Sequence, residues 1–295
     1  MKYCGVATPY KGVRVYTRCA MGMPGSESAL EELMTRVVGD LVQIGHVAKL
    51  ADDLYCGGNT IAEVLSRLEN VLIALRRSGL CLSAKKTVLC PKSTTVLGWI
   101  WSSGKLRANP HRISTLALCD KPLTVRAMRS FLGAYKILAR VIPNCAGLLA
   151  PLEDAADGKQ SQDKISWSEA LEDAFRQCQA KLASNREIAL PQPEDQIWLV
   201  TDGSAKLHGI GATVYISRNN QIMLAGYFSA KLRQRQVTWL PCELEALAIS
   251  TAISHFSPYL IQSLNKAYVL TDSVSRLTTS YVVENSHAAP VSQHS

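Results

Sequence analysis

The sequence of 295 residues lacks the segments that mark secreted and membrane proteins. It has no run of about eighteen apolar residues, the length that suggests a membrane-spanning helix. Its first residues, Met1-Lys2-Tyr3-Cys4-Gly5, include no apolar stretch of the signal-peptide kind. We therefore expect an intracellular protein, located in the cytoplasm or the nucleus.

The cysteines lack any ordered arrangement. All nine are scattered along the chain, and no Cys-x-x-Cys pair occurs. Zinc modules and disulfide frameworks need paired or regularly spaced cysteines, so the pattern disfavours both. Reduced, buried thiols are the expectation.

Acidic residues are scarce in the first half of the chain. Residues 1–150 contain 20 Lys and Arg against 9 Asp and Glu, whereas residues 151–295 contain 12 against 15. This asymmetry favours two modules, of which the basic one would have a polyanion partner such as nucleic acid. Many basic proteins bind no polyanion, so motifs have to decide the question.

One pair of adjacent acids, Asp52 and Asp53, lies between two short apolar runs and is followed by Gly57-Gly58. This pattern predicts a tight β-hairpin with both carboxylates at its turn. Such a turn suits metal-binding acids, because the strands fix the backbone while the tip reaches substrate. The alternative is an ordinary turn, since Asp is common in loops.

Hydrophobic periodicity and turn signals predict the elements around this hairpin. Capping boxes begin helices at Ser28 and Thr60, each with a Glu three residues later. The other predicted elements are a strand and turn over residues 80–90, a hairpin over 96–107, and helices over 123–141 and 167–182.

The second half carries acids at the ends of two apolar strands. Asp202 follows residues 197–201, and Asp272 follows residues 267–271, with a meander over 209–229 and a helix over 241–256 between them. Neighbouring strands would bring both carboxylates to one edge of a sheet, where the helix can aim a Glu. Three such acids repel one another unless cations bind, which predicts Mg²⁺ or Mn²⁺. Two such ions are the usual machinery for attack on a phosphodiester.

The helix over residues 241–256 offers two acids, of which we expect Glu245 to point inward. Glu245 shares an apolar stripe with Ala248, Ile249 and Ala252, whereas Glu243 lies about 200° away around the helix axis at 100° per residue. The alternative is that Thr-Asp-Gly-Ser is a simple turn and that the helix acids are solvated. An aspartic protease is disfavoured, because its turn would read Asp-Ser/Thr-Gly.

In this order the motifs resemble the C-terminal part of a reverse transcriptase joined to ribonuclease H, from an LTR retroelement of the gypsy-like kind. The resemblance runs from about Tyr3 to Ser273. Leu50-Ala51-Asp52-Asp53 is similar to the polymerase metal motif. The other matching segments are residues 21–25, 79–87, 96–100, 124–136, 140–144, 150–152, 165–168, 199–204, 209–212, 228–232, 245–249 and 269–273.

The resemblance implies an α+β fold: a partial polymerase palm over residues 1–107, helical thumb and tether over 108–190, a partial ribonuclease-H-like domain with a mixed sheet over 191–275, and a disordered tail over 276–295. It implies synthesis of DNA on an RNA template and cleavage of RNA in the hybrid. The implied partners are RNA–DNA hybrid, template-primer and deoxynucleoside triphosphates.

The resemblance also implies roles for individual residues. The implied metal ligands and catalytic acids are Asp52, Asp53, Asp202, Glu245 and Asp272, with Mg²⁺ or Mn²⁺ as the ion. The residues implied to contact substrate are Met23, Pro24 and Gly25 beside template and nucleotide, Lys85 or Lys86 near the triphosphate, and Gly98 and Trp99 in a primer-contacting hairpin.

The sequence departs from the family pattern at its catalytic acids. The third polymerase Asp belongs upstream of Met21, but no Asp precedes Asp40. Leu50 stands where Tyr or Phe is commoner, and nothing after Asp272 matches the fourth ribonuclease H acid or its His. These departures predict a copy truncated at both ends. They favour a non-catalytic remnant that at most binds nucleic acid over a working polymerase or nuclease subunit, because one lost metal ligand costs orders of magnitude in rate.

Overall fold

The computed structural model describes residues 5–20, 22–23, 25–206 and 208–271, together with the backbone of residues 282–283. The chain forms two compact units, Met1–Pro91 and Lys92–Ser295. Helices and mixed sheets both contribute, so the α+β class expected from the sequence is confirmed. Among the described residues, no helix is both long enough and apolar enough to cross a membrane.

The first unit consists of two short hairpins and two long helices. Val38 of the first helix and Val71 of the second are almost fully buried, and they share a small core with Met34, Val47 and Leu75. Its elements are β1 Gly5–Thr8, β2 Gly12–Val15, α1 Ser26–Gln43, β3 Ala48–Leu50, β4 Asp53–Tyr55 and α2 Ile61–Arg77.

Two local predictions for this unit were wrong. Helix α1 has Gly25 as its N-cap, in the left-handed conformation, so Ser28 lies inside the helix and does not cap it. Residues 80–90 contain a turn and no strand, because a strand needs a partner and this segment pairs with none of the described residues. The cap at Thr60 is confirmed, since its side chain accepts the Glu63 N–H at 3.2 Å.

The second unit contains a four-stranded sheet, a group of helices and a five-stranded sheet. Strand β7 pairs with β8, which places the hairpin over residues 94–108 in this unit. Its elements are β5 Thr94–Val96, β6 Trp99–Ser102, β7 Lys105–Ala108, α3 Pro110–Ala117, α4 Val125–Lys136, α5 Cys145–Ala156, α6 Glu169–Lys181, β8 Ile188–Ala189, β9 Gln196–Ser204, β10 Gly209–Arg218, β11 Gln221–Lys231, α7 Pro241–His255, α8 Ser257–Gln262, β12 Ala267–Thr271 and β13 Val282–Val283.

Helices α4, α5 and α6 surround the larger core of this unit. Tyr135 is fully buried, and its hydroxyl donates to the Cys178 carbonyl at 2.9 Å. Phe131 packs on Phe175 with ring centroids 5.0 Å apart. Burial raises the pKa of the Cys178 thiol to about 11. The thiol therefore stays protonated and unreactive at neutral pH, and it contributes to the packing of the core.

The five-stranded sheet has the strand order β11-β10-β9-β12-β13. The strands β9, β10 and β11 form the predicted antiparallel meander, and β12 runs parallel to β9 with Thr271 opposite Thr201. Helix α7 covers one face, where its buried residues Leu244, Ala248 and Ala252 pack with strand residues such as Leu199 and Ile210.

Candidate active sites

The first candidate site is the hairpin formed by β3 and β4. Leu50 pairs with Asp53 across a two-residue turn of Ala51 and Asp52, so the predicted hairpin is confirmed. Ala51 has a φ of 51°, the left-handed conformation that lets two residues reverse the chain. Both Asp side chains are exposed, which leaves their carboxylates free to meet solvent or substrate.

Two neighbouring side chains contact this turn. The Tyr55 hydroxyl lies 3.5 Å from Asp53 Oδ2, and burial together with the Asp53 carboxylate raises the pKa of Tyr55. The Lys49 ammonium pairs with Glu31 of α1 and lies 3.5 Å from the Ala51 carbonyl. Only 11% of the Lys49 side chain is exposed. The pair therefore connects helix α1 to the strand that enters the acidic turn.

Three further residues expected to contact substrate lie in the first unit. Gly25 starts α1 with a φ of 82°, and Met23 occupies the bend before it, while Pro24 lies outside the described residues. Lys85 and Lys86 are both exposed in the turn of residues 84–86, so their geometry does not choose between them. These roles stay predictions.

Gly98 and Trp99 form the end of the β5–β6 hairpin in the second unit. Gly98 has a φ of 76°, and a Cβ placed on it would lie 2.5 Å from the Arg112 guanidinium carbon. Arg112 Nη1 is buried and has no hydrogen-bond partner among the described residues. Arg112 carries no signal in the sequence, because its contact with the turn depends on the folding of α3 beside the hairpin.

The second candidate site is the edge of the large sheet where β9 and β12 end. Their parallel pairing confirms that the two acid-bearing strands are neighbours. Asp202 is exposed on β9, and strand alternation directs it away from the face that Thr201 and Gly203 present to α7. The predicted ligand Asp272 lies outside the described residues.

Glu245 is the buried acid of this site, as predicted, with 6% of its surface exposed. Its Oε1 accepts the Gly203 N–H at 3.3 Å, and its Oε2 accepts the Thr271 hydroxyl at 2.9 Å. Glu243 instead accepts the Leu240 N–H at 2.8 Å and caps the helix. Thus one carboxylate joins α7 to both β9 and β12.

Gly203 allows α7 to approach this closely. A Cβ on Gly203 would lie 2.8 Å from the backbone carbon and oxygen of Leu244 and 3.1 Å from the Glu245 nitrogen. Neither Gly203 nor Thr271 was singled out from the sequence. The sequence feature that could have indicated them is their position beside the predicted acids, Asp202 and Asp272, in the Thr-Asp-Gly-Ser and Leu-Thr-Asp-Ser motifs.

The residues at both sites have the chemistry that Mg²⁺ prefers, because Asp and Glu offer carboxylate oxygens. Asp52 and Asp53 supply these atoms in the first unit, and Asp202 and Glu245 supply them in the second. Across the part of the chain that the structure describes, however, no three His, Cys, Asp or Glu side chains come together as a metal-binding group.

The chain is similar to viral and retrotransposon polyproteins. Residues 167–267 match the family described as "RNase H-like domain found in reverse transcriptase". The Pol polyprotein of Feline endogenous virus ECE1 is 30% identical over 78% of this chain, and the chain spans 22% of that polyprotein. The Transposon Tf2-3 polyprotein of Schizosaccharomyces pombe is 22% identical over 95% of this chain, which spans 21% of it.

Solved structures agree on the fold. The foamy viral protease-reverse transcriptase dRH in complex with double-stranded DNA superposes with a TM-score of 0.73 at 19% identity, over 91% of this chain and 46% of that chain. The foamy viral protease-reverse transcriptase in complex with RNA/DNA hybrid gives a TM-score of 0.69 at 17% identity, over 90% and 35%. The chain is therefore homologous to part of retroviral and retrotransposon polyproteins, its fold is that of the foamy viral reverse transcriptase structures, and its residues 167–267 match the RNase H-like domain found in reverse transcriptase.

Proposed function

We propose that this chain binds template-primer and RNA–DNA hybrid and takes part in metal-dependent cleavage of the RNA strand, within a gypsy-like LTR retroelement polyprotein inside the cell. The observation that carries the proposal is the parallel pairing of β9 with β12, with Glu245 held between their ends. That arrangement supports a role for Glu245 at the ends of these two strands, while Asp202 is exposed on the opposite face of β9.

Binding to nucleic acid is supported by the charge of residues 92–150. This segment contains nine Lys and Arg but only one acid, Asp120. Three of its lysines pair with acids of later elements, whereas no ion pair within the described residues neutralises Lys92, Arg107, Arg112 or Arg126. Cations of this kind attract a phosphate backbone, with an affinity that falls steeply as salt is added.

The two acidic sites would carry out different reactions, with RNA cleavage in the second unit and DNA synthesis in the first. Asp202, Glu245 and Asp272 would hold divalent ions, which when bound supply a hydroxide for attack on the phosphodiester. The chain's own contribution is to orient Glu245 through the Gly203 N–H and the Thr271 hydroxyl. Asp52 and Asp53 would hold an ion against the deoxynucleoside triphosphate and the primer end, from a turn whose backbone is fixed by β3 and β4.

The nuclease proposal is tested with purified chain, Mg²⁺ and a labelled RNA–DNA hybrid. We expect wild type to cleave the RNA strand and Asp202→Asn to lose about 100-fold or more in rate, because it removes a metal ligand. Asp157→Asn is the control, since Asp157 is an exposed residue after α5. A wild-type chain that binds hybrid without cleaving it would overturn the nuclease role.

A second candidate function is nucleic-acid binding without catalysis, which would need only the cations of residues 92–150. Titration of labelled hybrid discriminates the two functions. If binding is the whole function, Asp202→Asn will bind as tightly as wild type and neither will cleave. Primer extension with Asp52→Asn gives the corresponding test for the first unit.

A further inference from the structure

We propose that Thr271 is a positioning residue that holds the carboxylate of Glu245 in place for metal binding. The inference deepens the proposed nuclease function and rests on it for its biological meaning. It concerns a side chain that is not itself a predicted metal ligand and that donates a hydrogen bond to Glu245.

The hydrogen bonds of Glu245 show why Thr271 matters. A buried carboxylate is costly unless donors satisfy it, and Glu245 is 6% exposed. The Thr271 hydroxyl lies at 2.9 Å, within the usual range for an O–H···O bond, whereas the Gly203 N–H lies at 3.3 Å, beyond the usual range for an amide donor. Thr271 therefore makes the stronger of the two contacts.

The fold determines the side to which Thr271 points. Val269 packs against the core beneath α7, and Thr271 follows two residues later, so strand alternation turns it toward the same helix. Thr201, opposite it on β9, donates to the Leu270 carbonyl at 3.3 Å. Thr201 and Thr271 thus both face α7 at the strand ends.

The hydroxyl of Thr271 contacts the Glu245 carboxylate from β12 and can restrict its rotation. Valine has nearly the shape of threonine but cannot donate, so it leaves Oε2 without this donor. A residue that orients a metal ligand typically changes metal affinity 10- to 100-fold when it is removed. A residue that only stabilises the fold would leave the metal affinity of the folded protein unchanged.

The experiment measures Mn²⁺ binding to the full chain by electron paramagnetic resonance. All variants carry Asp52→Asn and Asp53→Asn, so that Mn²⁺ reports on the second unit. Relative to that background, we expect Thr271→Val to weaken Mn²⁺ binding about 10- to 100-fold. Thr271→Ser, which keeps the hydroxyl, should bind Mn²⁺ as the background does. Equal affinities for Val and Ser, or no Mn²⁺ bound by the background protein, would overturn the proposal.

Two further measurements separate failure of this inference from failure of the nuclease function. A double-mutant cycle of Thr271→Val with Glu245→Leu, read as melting temperature without metal, must be non-additive if the hydrogen bond exists, because leucine cannot accept the hydroxyl. Additive shifts would overturn the inference. Hybrid cleavage is assayed separately in the protein that keeps Asp52 and Asp53. A chain that binds Mn²⁺ in a Thr271-dependent way but cleaves no RNA would leave the inference intact and refute the nuclease role.

Discussion

Gly203 lies where α7 crosses β9, and the backbone of Leu244 fills the space that a side chain would need. We expect Gly203→Ala to destabilise the second unit by about 1–3 kcal/mol, because helix backbone must move to accept the methyl group. Urea unfolding followed by tryptophan fluorescence measures the change. Gly211→Ala is the control, since its nearest contact would be an ordinary 3.6 Å to the Phe228 oxygen. Equal losses for both variants would contradict the packing argument.

Asp195 is a second residue whose effect can be measured, through pH. It is 3% exposed and accepts from Arg218 Nε at 2.8 Å and Nη2 at 2.6 Å, and from the Gln192 N–H at 2.7 Å. Burial acts to raise the pKa of Asp195, but these donors outweigh it and lower the pKa. Stability gained this way is fully present above the unfolded pKa of about 4 and is lost as pH falls through the lower folded value.

We therefore expect the free energy of unfolding of the second unit to fall below about pH 4. In Asp195→Asn this part of the pH dependence should disappear, and stability at neutral pH should drop, because Arg218 loses its ionised partner. Urea titrations from pH 3 to pH 7 measure both effects. If Asp195→Asn loses as much unfolding free energy below about pH 4 as wild type does, other carboxylates cause that loss.

For single residues, predictions from the sequence were correct where helix periodicity alone determines which side chain is buried. Glu245 was preferred to Glu243 because it shares a helix face with Ala248 and Ala252, and that face is buried. Thr271 and Arg112 were missed for the opposite reason. Their partners, Glu245 and Gly98, are remote in the chain or belong to another element, so no local pattern marks them.

The ion pair of Glu31 with Lys49 joins α1 to β3 in the first unit. Because Glu32 lies next to Glu31 in the sequence, it provides a control for a test of this pair. Glu31→Gln leaves the largely buried Lys49 ammonium without its carboxylate, so we expect a loss of about 1 kcal/mol in unfolding free energy. Glu32→Gln is the control, because its pair with Arg36 is exposed and lies within one helix. That variant should change stability by no more than about 0.5 kcal/mol. Similar losses for both would refute a special role for Lys49.

Elements were predictable wherever an apolar period or a turn signal was unbroken, as in both acidic motifs and in α2, α4, α6 and α7. Helix α5 was missed because Pro151 lies inside it, and a proline in a sequence suggests a break. Residues 80–90 were wrongly assigned a strand because their apolar residues suggested one. A strand forms only when the segment hydrogen-bonds to a neighbouring strand, and the sequence of residues 80–90 does not show whether such a neighbour exists.

At the scale of the whole molecule, the charge asymmetry predicted a basic module and an acidic module, and this division does not coincide with the two compact units of the structure. The division falls between Pro91 and Lys92, whereas the most basic segment, residues 92–150, lies in the second unit. Its hairpin is held there by the pairing of β7 with β8, about eighty residues later in the chain. Such a long-range contact leaves no trace in local composition.

The two units also differ in how much core each buries, which predicts unfolding in two steps. Among the described residues, the core of the first unit has five buried hydrophobic residues, whereas the main core of the second has twenty-one. The smaller core gives less free energy against the entropy of ordering its chain, so the first unit should unfold at lower urea.

All five tryptophans lie in the second unit, which allows the two steps to be separated. Far-UV circular dichroism follows the helices of both units, while tryptophan fluorescence follows only the second. We expect the dichroism curve to begin its change at lower urea than the fluorescence curve, and Glu31→Gln to shift only that early part. Coincident curves would show a single cooperative transition and contradict independent cores.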